Sequence, residues 1–185
     1  LNKTARAAQI IIIQNKDCTF IKQKILSMPQ ITHESIDKAL DKIDNLSDEQ
    51  LDQLIEKYTA QQPDLMNYIM QAGMEYENED LNGFAIYYFT VIYEAFLQQD
   101  VKLRQITEDD IEEFQEPFLE ALDAIQKNDN HEPLQELISQ ISLQEFMVEE
   151  MDAEDEAGEQ LDEEMKTQLF MVSAAIIGLL NEASE

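Results

Sequence analysis

Ile31-Thr32-His33-Glu34-Ser35-Ile36 is the phrase that decides the fold class of this chain. An apolar residue precedes a hydroxyl residue, three polar or small residues follow, and an apolar residue closes it. The hydroxyl can accept a hydrogen bond from an orphan amide in a helix's first turn, and the flanking apolar pair can clip together as a hydrophobic staple. The phrase recurs at Leu46-Ser47…Leu51, Ile106-Thr107…Ile111 and Ile141-Ser142…Phe146. Gln50 and Glu145 stand three residues after their hydroxyls, where a side chain can reach back and complete a capping box. Four helix starts of one design predict an all-α chain.

Apolar stripes at helical spacing follow the first two caps: Ile36, Ala39, Leu40 and Ile43, then Leu51, Leu54, Ile55 and Tyr58. The short joint at residues 45–47 predicts that these two helices pair as a hairpin. Pro63 suits the first turn of a further helix, reaching about residue 77. Residues 84–97 hold a single charge, Glu94, and residues 169–180 hold none. Helices apolar nearly all round are buried nearly all round. Two such helices predict the centre of a compact bundle of about seven or eight helices. Pro117 predicts a kink or break near Gln115. Residues 128–131 read as a loop, Pro133 restarts a helix, Ser142 opens another, and the last spans about 161–181. Its Ser173, Ala174, Ala175 and Gly178 permit close approach of another helix, within the chain or across a homodimer.

Charge divides the chain. Residues 1–30 carry Lys3, Arg6, Lys16, Lys22 and Lys24 against Asp17, a net of +4, in a protein whose formal charge is −28. This basic segment also holds four consecutive isoleucines at 10–13, and Phe20 and Ile21. It reads as helix to about Gln14, a joint near Asp17, and helix to Ser27 before Pro29, with a β-hairpin as the alternative. Either form packs on, or is exchanged from, an acidic helical domain over residues 31–185. Residues 105–165 concentrate 22 acids against Lys127 alone. Such a field repels nucleic-acid phosphate and anionic membrane surfaces, and it attracts a basic protein or divalent cations.

The one cysteine, Cys18, permits no intrachain disulfide and no multi-thiolate zinc site, so a reducing cytoplasm is the expected setting. No signal-peptide pattern follows Lys3 and Arg6. The longest apolar run has 12 residues, short of the roughly 20 that span a bilayer.

Candidate chemistry is sparse. Neither histidine belongs to a Glu-x-x-His motif, so a ferritin-like di-iron site is not encoded, and both read as exposed residues at helix starts or loops. Asn78, Asp80, Asn82 and Gly83 match four positions of a calcium loop, but Phe89 stands where the chelating Glu belongs, and a helix turn explains them. Glu94, expected among aromatics, predicts a raised pKa.

The sharpest motif is Glu112-Glu113-Phe114-Gln115-Glu116. It resembles the Glu-Glu-x-x-Glu half of the all-α nucleoside triphosphate pyrophosphohydrolases. The resemblance implies magnesium held by Glu112, Glu113 and Glu116 with a second pair, Glu149 and Asp152 or Glu159 and Asp162. Magnesium wants hard oxygen ligands and would bridge a substrate triphosphate.

The sequence is read as a non-enzymatic, acidic helical interaction or accessory protein, without a cofactor, that binds a basic protein partner through its acidic face or an apolar groove. The magnesium-dependent enzyme is one alternative. A nucleic-acid mimic, whose carboxylates imitate phosphates, is the other.

Overall fold

The computed structural model describes residues 30–154, 158 and 160–185. The reading of residues 1–29 as helices or a hairpin therefore lies outside the described residues. Among those described the chain is all-helical. Eight helices follow in order: α1 His33–Asp44, α2 Asp48–Gln61, α3 Pro63–Glu75, α4 Glu79–Gln98, α5 Glu108–Asn128, α6 Glu132–Ile138, α7 Ile141–Asp152 and α8 Glu163–Glu182. Among the described residues no helix is long and apolar enough to cross a membrane.

Three of the four cap phrases work as written. Thr32 and Ser47 accept from the amides of Ser35 and Gln50, at 3.3 and 3.4 Å, and Gln50 closes a capping box on α2. Thr107 caps α5, and Asp110 reaches back to its amide at 2.8 Å, a box made with a shorter acid than Glu. The fourth phrase fails. α7 begins at Ile141, two residues before a Ser142 cap would start it, so Ser142 lies inside the first turn, and Gln140 precedes the helix with no side-chain cap. Tertiary bonds set this start instead. Gln140 donates to Asn181 Oδ1 at 2.7 Å and accepts the Ile31 amide at 2.9 Å. Glu145 does not close a box but pairs with His33 at 3.1 Å.

α4 is the centre. Its residues from Tyr88 to Phe96 are all buried, and α1, α2, α3 and α8 pack around it. α8 is the second core helix, buried almost without interruption from Gln168 to Asn181, and it also receives α5, α6 and α7. α1 and α2 do not form the expected hairpin: each packs chiefly on α4 rather than on the other. Their stripes are one-sided, and α4 offers each a nearly all-apolar surface, with Glu94 its one charge from Phe84 to Leu97, that a partly buried neighbour cannot match.

The small residues of α8 serve internal packing. A Cβ at Gly178 would stand 2.5 Å from the Phe114 ring of α5, so only glycine lets that ring seat. α5 runs through Pro117 without the expected break. Pro117 and Glu113, whose carbonyl loses its partner there, are both exposed, so that carbonyl is open to solvent. Residues 101–106 stitch the two ends of the body. Arg104 N–H donates to Ala183 O at 3.0 Å, Glu185 N–H to Lys102 O at 2.9 Å, and the buried Gln62 binds both Ile106 N and Arg104 O.

Candidate functional site

The carboxylates singled out for magnesium are all exposed. Glu112, Glu113 and Glu116 lie on the outer face of α5, and Glu149 and Asp152 on α7. α5 packs on α6, α8 and α3, whereas α7 packs on α8 and α1. Asp152 is held by Lys166 at 2.9 Å, and Asp162 caps α8 by accepting the Met165 amide at 2.8 Å. Glu159 lies outside the described residues. Among the described residues no three His, Cys, Asp or Glu side chains group closely enough to hold a metal ion.

The half-matched calcium loop is a helix joint. Asn78 binds Gln168 Oε1 at 2.7 Å, tying the start of α4 to α8, and Asn82 Oδ1 accepts the Gly73 amide at 3.1 Å. His33 is exposed, as its place at a helix start suggested. His131 is not. Its side chain is only 11% exposed and stands 3.3 Å from Asp129, because α6 starts immediately after it and folds it inward.

Glu94 is buried, but its environment reverses the expected shift. Lys42 Nζ donates to it at 2.7 Å, Gln98 at 2.6 Å, and the Tyr58 hydroxyl also donates. Burial alone would raise the carboxyl's pKa. The three donors and the lysine charge outweigh burial and hold it below the ordinary carboxylate value. With every oxygen engaged and a cation in contact, Glu94 is a structural tie joining α1, α2 and α4 rather than a free acid or base.

One open feature is a groove of about 690 Å³ between the start of α4 and the start of α8. Phe84, Tyr87 and Tyr88 form one wall, and Leu161 and Met165 form the other. Phe84, on α4 itself, keeps 38% of its surface exposed at the groove. Gly83 leaves the groove open beside them, with nothing within 4 Å of where a Cβ would stand. Tyr88 is locked by edge-on contacts with Tyr87 and Phe146, at 5.4 and 6.5 Å between centroids. The wall is therefore preformed.

Carboxylates ring it. Asp80 and Asp162 line the groove itself. Asp44 and Glu150 stand close enough to the Tyr87 phenol that their charges, after burial, raise its pKa. Burial first, then Asp44 and Glu149, push the Glu150 carboxyl above its ordinary value. Among the described residues no Lys, Arg or His forms an ion pair with Asp44, Glu149 or Glu150. An apolar slot rimmed by uncompensated negative charge suits a ligand that is apolar along one side and cationic along the other.

The sequence had placed Tyr87 and Tyr88 in the nearly uncharged run of residues 84–97. It had no means of finding Leu161 and Met165 opposite them, or Asp44 beside Glu150, since residues distant in sequence meet there only through packing on α4. The chain matches no family model, and comparison with curated proteins and with solved structures returns no significant match.

Proposed function

We propose that this protein is a non-enzymatic helical binding module whose groove between α4 and α8 seats a basic, amphipathic segment of a protein partner. The supporting observation is the meeting of a preformed aromatic wall with the carboxylates of Asp44, Glu149 and Glu150, which form no ion pair among the described residues. Apolar side chains of the partner cover Phe84, and its Lys or Arg residues relieve the repulsion from Asp44 and Glu149 that adds to burial in raising the Glu150 pKa. Charge speeds the encounter, and the aromatic wall supplies the holding contacts. The pyrophosphohydrolase and mimic readings gain no comparable observation.

The test uses a synthetic amphipathic Lys/Leu/Phe peptide and its scrambled counterpart, titrated by fluorescence anisotropy. Wild type is expected to prefer the amphipathic order. Phe84→Ala is expected to weaken binding by about tenfold, and Glu150→Gln to weaken it while raising thermal stability. Equal affinity for both peptides, or no effect of Phe84→Ala, sinks the proposal, because binding would then be general attraction to an acidic surface.

A further inference from the structure

Resting on that groove, we infer that its resident occupant is the chain's own basic start, residues 1–29, seated in cis until a stronger basic partner displaces it. Charge complementarity carries the first part of the case. Residues 1–30 hold a net of +4, so the remaining 155 residues of this chain, of total charge −28, hold −32. Lys16, Lys22 and Lys24 are interleaved with Phe20, Ile21, Ile25 and Leu26, the mixture of cation and apolar surface that the groove and its rim ask for.

The second part is the tether. The chain enters the described fold at a fixed point: Ile31 is 2% exposed and its amide is bound to Gln140. From there α1 runs to Asp44, which acts on Tyr87 at the groove. Its 12 residues cover roughly 18 Å at 1.5 Å per residue. Twenty-nine residues span at most about 95 Å extended, or about 44 Å if wholly helical. Either length exceeds that distance, and a tether of this size presents its segment at roughly millimolar effective concentration.

The consequence is self-competition. A groove filled by its own tail nine-tenths of the time shows an apparent Kd for any outside ligand about tenfold weaker than the intrinsic one. The experiment uses the full chain carrying Lys16→Glu, Lys22→Glu and Lys24→Glu, with circular dichroism to check the fold and the amphipathic peptide as probe. The triple variant is expected to bind that probe several-fold to tenfold more tightly than wild type, with the gain abolished by adding Phe84→Ala. Unchanged affinity that still depends on Phe84 overturns self-occupancy while leaving the groove reading intact. Affinity indifferent to Phe84 in both chains overturns both.

Cys18, the single cysteine, supplies an independent measurement. A nitroxide placed there is expected to broaden the methyl NMR signals of Met165 and Leu161 and to spare that of Leu119, exposed on α5. Uniform broadening, or none, overturns the inference. Equal broadening in a mixture of spin-labelled chains with isotope-labelled chains that carry no nitroxide also overturns it, showing that a second copy supplies the segment.

Discussion

Glu94 shows how a single residue changes meaning once its neighbours are known. In sequence it is a lone acid in an apolar run, which argues for a raised pKa and latent reactivity. In the fold it is the acceptor for Lys42, Tyr58 and Gln98, and its carboxyl is held below the ordinary value of 4.5. A lowered folded pKa means that the native state binds the proton less readily than the unfolded chain. Its contribution is therefore complete above pH 4.5 and is lost as pH falls through the depressed value. Glu94→Gln is expected to cost about 1–2 kcal/mol at neutral pH, because Lys42, 41% exposed, can return to water. Urea denaturation across pH should show the gap between wild type and variant narrowing in acid. A gap that stays constant, or widens in acid, contradicts this assignment.

At the scale of elements, local signals succeeded where the helix end is solvent-exposed and failed where tertiary bonds take over. Thr107 caps α5 on the surface, with Asp110 completing the box and Arg104 gripping Asp110 at 2.6 and 2.8 Å. Ser142 has the same local phrase, but the Gln140–Asn181 bond fixes the α7 start two residues earlier. Thr107→Ala is therefore expected to lower stability by about 1–2 kcal/mol, and Ser142→Ala to change it by less than about 0.5 kcal/mol. Chemical denaturation of the two variants decides it; equal losses would restore Ser142 as a cap. Pro117 teaches the same lesson in reverse. A proline on the wet face of a long helix removes one bond that water can replace, so the helix continues.

At the scale of the whole molecule, burial and negative charge act together on the phenols. All six tyrosines have pKa values raised from 10, in each case with burial as the largest cause, and Tyr68 and Tyr88 are pushed up to about 12. A raised folded pKa contributes stability below pH 10 that is lost as pH climbs through the folded values. With no tryptophan in the chain, tyrosinate absorbance is easy to follow. The native protein is expected to ionise little at pH 10 and to release its phenols together as alkaline unfolding sets in. Independent titration of several phenols near 10 with helicity retained would refute this.

The sequence by itself determined the helical class, most helix boundaries, the identity of the two core helices and the division of charge, because caps, stripes and net charge are local or additive. The tertiary structure alone decided the rest. It placed a lysine and a phenol on Glu94, fitted Phe114 over Gly178, and set the α4 aromatics opposite Leu161 and Met165 beneath Asp44 and Glu150. Each of these meetings joins residues far apart in sequence, and their geometry follows from how whole helices pack on α4 and α8, which no local pattern encodes.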